Sequence, residues 1–236
     1  MYNRKSKGVG YKLNETEVLR KLCDRIIELS CKNDTKIISI VGGAASGKTT
    51  LTHKLIQCLG DADFIGTDDY VVGDREYRRN NLEGKDPTAK YDVARLNKDI
   101  EAIINIREND TYLVPTYDES TGLAVDSPNY KHKIGKVKYL IVEGDFDFVQ
   151  NPDLKIYYDV PDEIRLENRI HRDLKKRSET DFEKIKENFE IRQKLQHEPY
   201  TIKARDSANL VVSVTPVIQN DILAYEYSLG YFKYRI

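Results

Sequence analysis

Apolar residues at Val18, Leu19, Leu22, Ile26, Ile27 and Leu29 recur close to every 3.6 positions, which predicts an amphipathic helix over about residues 14–30. Asn14-Glu15-Thr16-Glu17 supplies capping groups at its start. After a polar turn, Ile37-Ile38-Ser39-Ile40-Val41 is β-branched and almost wholly apolar, the pattern of a strand buried on both faces. A helical period resumes over Lys48 to Leu59 and stops at Gly60. Further strands are predicted at Asp63 to Thr67, Tyr112 to Thr116, Val137 to Val142, Lys155 to Val160 and Leu210 to Val214. Helices are predicted at Val93 to Ile106, Asp162 to Lys176 and Asp181 to Gln196. Strands alternating with helices imply an α/β three-layer sandwich: a mostly parallel sheet with helices on both faces.

The 236 residues fit one domain spanning 1–236. Lys plus Arg number 38 and Asp plus Glu 39, so the basic excess of a nucleic-acid backbone binder is missing. No apolar run approaches the ~20 residues that cross a bilayer, and no apolar core follows Met1-Tyr2-Asn3-Arg4-Lys5. The expectation is a cytoplasmic protein that works without a membrane or nucleic-acid partner. Cys23, Cys31 and Cys58 lack CxxC spacing and are expected as reduced thiols, with Cys58 in the core. Tyr225, Tyr227, Tyr231 and Tyr234 crowd the C-terminus, as a packed end or a homo-oligomer contact would.

Gly42-Gly43-Ala44-Ala45-Ser46-Gly47-Lys48-Thr49 matches GxxxxGK[ST] and lies between a buried strand and a helix, where a P-loop must lie. Its glycines let successive backbone N–H groups and the helix N-terminus turn toward phosphate oxygens. Lys48 would bridge the β and γ phosphates, and the Thr49 hydroxyl would face a magnesium ion. Asn97-Lys98-Asp99 has the wrong spacing for the guanine-reading motif of a GTPase.

Two acidic points follow strands. Asp68-Asp69 comes after Phe64 to Thr67, and Glu143 ends Tyr139 to Val142. At the carboxyl end of a parallel sheet, such a carboxylate can take a hydroxyl proton or hold a metal. Asp69, Asp145 and Asp147 stand close enough in sequence to share either role. Arg165, Arg169 and Arg172 fall at helical spacing and put guanidinium groups on one face, a charge suited to a transferring phosphoryl group.

From Lys36 to Val214 the chain resembles the uridine kinase and phosphoribulokinase family of P-loop kinases. The resemblance rests on the P-loop, Thr67-Asp68-Asp69-Tyr70, Asp86-Pro87 with Tyr91-Asp92, Val114-Pro115-Thr116-Tyr117-Asp118, Val142-Glu143-Gly144 and Arg169-Ile170-His171-Arg172-Asp173. It implies ATP and Mg2+ as cofactors and transfer of the γ-phosphoryl group to a small-molecule hydroxyl, a nucleoside such as uridine or cytidine first. Pantothenate, glycerate or a sugar phosphate come next, and a regulator that binds nucleotide without transfer is the alternative outside enzymology.

The resemblance makes Asp68 the catalytic base and a metal-side group. It gives Thr49 and Glu143 to the metal, and Gly42 to Thr50 to the nucleotide. Lys48, Arg169 and Arg172 serve transfer, Arg177 joins them from a lid at about 162–181, and Asp86 and Tyr117 hold the acceptor. Departures from the family pattern fall on acceptor recognition. Val71 replaces a tyrosine, Glu119-Ser120-Thr121-Gly122-Leu123 lacks the usual His and Arg, and Glu179 stands where a lid Arg is expected.

Overall fold

The computed structural model describes residues 12–29, 34–82, 85–127, 132–176, 181–219 and 222–231. The first half runs α1 (Glu15–Ile27), β1 (Lys36–Gly42), α2 (Lys48–Leu59), β2 (Ala62–Gly66), α3 (Arg75–Leu82), α4 (Val93–Ile104), β3 (Tyr112–Val114), β4 (Thr116–Asp118) and β5 (Leu123–Val125). It continues as β6 (His132–Ile134), β7 (Tyr139–Gly144), β8 (Leu154–Asp159), α5 (Asp162–Lys176), α6 (Phe182–Arg192), α7 (Lys203–Ser207), β9 (Leu210–Gln219) and β10 (Ile222–Tyr231).

The central sheet has the order β10-β9-β8-β1-β7-β2, parallel except for β10 at the edge. Side chains alternate across each strand, so the all-apolar β1 and β7 feed two cores at once. Ile38, Ile40, Tyr139 and Ile141 meet Val18, Leu22 and Ile26 of α1 and Leu51 and Leu55 of α2. On the opposite face Ile37, Leu140 and Val142 meet Leu96, Ile100 and Ile103 of α4. α7 covers Val41, Tyr157 and Val211 through Ala204, with Ala208 just beyond it in the same cluster. The predicted sandwich is therefore the observed one. α1 begins with a reciprocal cap: Asn14 Oδ1 accepts from the Glu17 N–H at 3.0 Å, and Glu17 accepts from the Asn14 N–H at 2.8 Å.

Four expectations are corrected. The strand predicted over Tyr112 to Thr116 breaks at Pro115, which has no N–H for a ladder, and its halves pair with β6 and β5 outside the central sheet. The strand predicted at Leu210 to Val214 runs on to Gln219 and turns back as β10, whose edge position lets it carry polar residues. The helix predicted over Asp181 to Gln196 ends its α-helical part at Arg192 and continues as a π-type turn through Thr201, around Pro199. Cys58 is exposed, not in the core, and is joined to buried Cys23 in a disulfide, with Cα atoms 6.6 Å apart, because α1 and α2 lie side by side. Cys31, Arg177, Glu179 and Tyr234 lie outside the described residues. No helix among the described residues is long and apolar enough to cross a membrane.

Leu22 has no exposed surface and links α1 to the sheet. Leu22→Ala should destabilise the protein by about 2–5 kcal/mol and lower the melting temperature by roughly 5 to 20 °C. A melting temperature unchanged by calorimetry would show that α1 does not belong to the folding core.

Candidate active site

Strand register assembles the site. Ile40 of β1 pairs with Glu143 of β7, and Glu143 pairs with Gly66 of β2, so the P-loop, Glu143 and the turn bearing Asp68 leave the sheet side by side. The P-loop is shaped by two left-handed residues, Ala45 (φ 62°) and Gly47 (φ 89°). Gly43 packs against the Arg165 guanidinium, which would overlap any side chain placed there.

Lys48 is 6% exposed and donates to Gly43 O at 3.0 Å and to Asp145 Oδ1 at 2.7 Å. The Thr49 hydroxyl donates to Glu143 Oε1 at 2.8 Å, so the two residues expected beside a metal do meet. Asp68 sits in the short turn Thr67–Tyr70 and accepts from the Tyr91 hydroxyl at 3.3 Å. Burial and the Asp145 charge hold its carboxyl above the usual range, opposed by Lys48 and Arg192. Burial also acts on Asp145, but Lys48, Arg192 and Arg165 outweigh it and hold that carboxyl below its usual range. Glu143 is raised, chiefly by burial.

The other acidic alternatives separate. Asp69 accepts from the backbone N–H groups of Gly66 and Tyr117, at 3.1 Å and 2.7 Å, and so braces its turn against β4. Burial lifts its carboxyl to about 6. Asp147 pairs with Lys155 at 2.6 Å and is not on the cavity wall. Asp145, by contrast, is part of the site.

A cavity of about 940 Å3 opens over these groups. Ala44, Ala45, Gly47, Lys48, Thr49, Thr50, Asp68, Tyr117, Glu143, Arg169 and Arg172 all line it, as expected. Gly42, Gly43 and Ser46 support the loop from behind. Asp86 does not reach the cavity; it is exposed and caps the turn Pro87–Lys90 by accepting from the Thr88 N–H at 2.9 Å and the Thr88 hydroxyl at 2.7 Å. A carboxylate before Pro and Thr serves a cap equally well, and the sequence does not separate the two uses. Arg165 leaves the face shared by Arg169 and Arg172: it is 1% exposed and bound to Gln193 and to His197 Nε2, the latter at 2.9 Å. Arg169 and Arg172 share Asp173, at 3.0 and 3.1 Å, and Asn168 donates to Ala45 O at 3.1 Å, tying α5 to the P-loop.

Sequence reasoning missed Tyr91 as a partner of Asp68, and it missed Arg192, Lys184, Arg75 and Arg78 on the cavity wall. Tyr91 was legible as part of the Tyr91-Asp92 pair. The others are charged residues on charged helices, with no local signal to mark them.

A parallel sheet, a P-loop whose lysine faces a carboxylate, and a second carboxylate one strand away define a P-loop kinase. The family model described as "Phosphoribulokinase / Uridine kinase family" matches residues 37–221, and the chain belongs to that family. It is 35% identical over 152 residues to the uridine kinase of Borrelia duttonii, an alignment covering 61% of this chain and 70% of the relative. Among solved structures it resembles a possible uridine kinase from Bacillus stearothermophilus (TM-score 0.54, 20% identity, 83% of this chain and 97% of that one). It also resembles D-glycerate 3-kinase from Cryptococcus neoformans (TM-score 0.60, 11% identity, 84% and 95%). The site is thus that of an ATP-binding transferase.

Because Asp145 raises Asp68, Asp145→Asn should move the Asp68 titration midpoint downward, followed by 13C NMR of the carboxyl groups. An unmoved midpoint would separate the two groups.

Proposed function

We propose that the protein is an ATP- and Mg2+-dependent kinase that transfers the γ-phosphoryl group to a hydroxyl of a small molecule, with Asp68 as general base. The observation that carries this reading is Asp68 itself: on the cavity wall, its carboxyl held above the usual carboxylate range and contacted by a tyrosine hydroxyl beside the P-loop. A protein that only senses nucleotide has no use for an acceptor base there. Nine lysines and arginines line the cavity against five carboxylates, a balance suited to anionic ligands.

The Thr49 and Glu143 oxygens, 2.8 Å apart, are hard donors of the kind Mg2+ takes, and Asp68 would join them through water. That ion would offset charge on the phosphate oxygens. Asp68 accepts the hydroxyl proton as the acceptor oxygen bonds to the γ phosphorus; the bond from that phosphorus to the β–γ bridging oxygen breaks, and ADP departs. Lys48, freed in part from Asp145 by the incoming phosphates, would neutralise the β and γ oxygens. Arg169, Arg172 and Arg192 would do so from α5 and α6, acting as a lid that excludes water.

The names of the relatives support a nucleoside acceptor, uridine or cytidine, and Tyr117 offers a ring face on the wall. The exposed position of Asp86 leaves that reading without its ribose-binding carboxylate. The partners in either case are small molecules, and the protein works in the cytoplasm.

Asp68→Asn should lower kcat by roughly 10² to 10⁴ with little change in ATP affinity, and Lys48→Ala should lower it by about 10² or more. Wild-type kcat/KM should fall as pH drops through the elevated Asp68 midpoint, because only the ionised carboxylate takes the proton. Acceptor-dependent ADP release checks all three, and full turnover by Asp68→Asn would remove the base. Hydrogen exchange should show α5 and α6 protected by an ATP analogue with Mg2+; equal exchange with and without ligand would discard the lid.

A further inference from the structure

One wall of the cavity holds a set of cations that phosphoryl transfer from ATP does not use. Arg75, Arg78 and Arg79 project from α3, and Lys90 ends the turn Pro87–Lys90, where its carbonyl accepts from the Val72 N–H at 3.0 Å. Arg75 donates to the carbonyls of Glu119 and Ser120, and its guanidinium lies 5.8 Å from the Tyr117 ring centre. Arg78 donates to the carbonyl of Gly73 and to that of Gly122, the latter at 3.0 Å.

These carbonyls fix the two guanidinium groups without neutralising them. Elsewhere in the chain arginines meet carboxylates: Arg25 with Glu28 at 2.7 Å, Arg95 with Asp126 at 3.0 Å, Arg205 with Asp159 at 3.2 Å. Within the cavity, Arg169 and Arg172 meet Asp173, and Lys48 meets Asp145. On the wall formed by α3, the lining carboxylates are Asp68 and Glu119, against four cations.

A solvated helix face would explain arginines that extend into water. Arg75 and Arg78 instead are half-buried and fold back onto the Glu119 to Gly122 loop. That loop is the segment where the family's nucleoside kinases carry a His and an Arg; here its carbonyls serve to aim two guanidinium groups. Arg78 also acts on the Tyr91 hydroxyl, which touches Asp68, so its charge is felt next to the base.

We propose that the acceptor is itself an anion: a hydroxyl compound bearing a phosphate or carboxylate, held by Arg75 and Arg78 while its hydroxyl reaches Asp68. A guanidinium fork is matched to either acid group, whereas a neutral nucleoside would offer Arg75 and Arg78 no acid group to bind. The proposal rests on the phosphotransferase reading and sharpens it.

The test is acceptor-dependent ADP release by the whole protein at saturating ATP and Mg2+. A pentose 5-phosphate, D-glycerate and pantothenate are compared with uridine, cytidine and glycerol, so that the phosphate and carboxylate arms are read separately. An acid acceptor should exceed every neutral one in kcat/KM by about 10² and lose that advantage as salt is raised. Arg78→Gln should raise KM for that acid by roughly 10- to 100-fold, with kcat changed far less and ADP affinity by calorimetry unaltered, and Arg78→Lys should recover part of the loss. Uridine or cytidine matching the best acid, or an unchanged KM in both Arg75→Gln and Arg78→Gln, would overturn the proposal. If no compound supports ADP release, the kinase reading fails on its own. Calorimetric binding of the pentose phosphate and glycerate then decides the anion site: binding that Arg78→Gln abolishes upholds it, and absence of binding overturns it.

Discussion

The partly buried charge pair between the start of α2 and the end of β7 sets the terms for everything around it. Lys48 and Asp145 meet at 2.7 Å with the lysine almost wholly shielded, and Asp68 stands within their field. Asp145 and Asp68 share the field of one ammonium group; desolvation and the Asp145 charge hold Asp68 above the usual carboxylate range, while Asp145 is held below it. Lys48 touches Asp145 and helps hold its carboxyl low; Asp68 feels Lys48 and Arg192 only through space and is touched by a tyrosine hydroxyl. The two neighbouring carboxyls are thereby pushed apart in affinity for a proton, Asp68 upward and Asp145 downward. Anionic phosphate at Lys48 would compete with Asp145 for the same ammonium group, which couples occupancy of the P-loop to the state of the base.

Holding such a cluster requires a scaffold that cannot shift, and the sheet register provides it. Glu143 is fixed between the last residues of β1 and β2 by its pairing to both. Asp69 spends both carboxylate oxygens on backbone N–H groups, one from its own turn and one from β4, so the turn presenting Asp68 is locked to the wall that carries Tyr117. Arg165 plays the matching part on the lid side. Its guanidinium lies on Gly43, under the Gln193 and His197 side chains and 5.3 Å from the Phe189 ring centre, so α5, α6 and the P-loop meet on one buried group. His197 is pressed to about 4 by burial and the Arg165 charge, so it is neutral at pH 7 and can accept from the guanidinium.

Much of this was legible in the sequence, and the legible parts share a cause. The strands β1, β7 and β8 are buried on both faces, so they are largely apolar, and the P-loop is a contiguous string with its chemistry in fixed order. Thr49 and Glu143 could be placed together because the P-loop helix that carries Thr49 starts just beyond β1, and Glu143 lies near the carboxyl end of the neighbouring parallel strand β7. The β9 and β10 hairpin escaped because an edge strand need not be apolar, and Pro115 divided a run that composition alone joined. Asp86 and Arg165 were misread for a different reason. A carboxylate before a proline turn and an arginine on an amphipathic helix each have a structural use that looks the same in sequence as a functional one, and only burial separates them.

The acceptor wall is the least legible part because no short segment contains it. Tyr91, Arg75, Arg78, Tyr117 and the Glu119 to Gly122 carbonyls come from α3, a turn, β4 and a loop, each unremarkable alone. The P-loop half must bind the same triphosphate in every kinase of this kind, so its residues are confined to one spacing. The acceptor half has no such constraint and can change charge by exchanging side chains on an eight-residue helix without disturbing Lys48, Asp145 or Asp68. Asp68 and the cradle can therefore stay fixed while the wall opposite them changes its charge. Membership in the family gives the transferase class, and the proposed anionic acceptor rests on the electrostatics of α3.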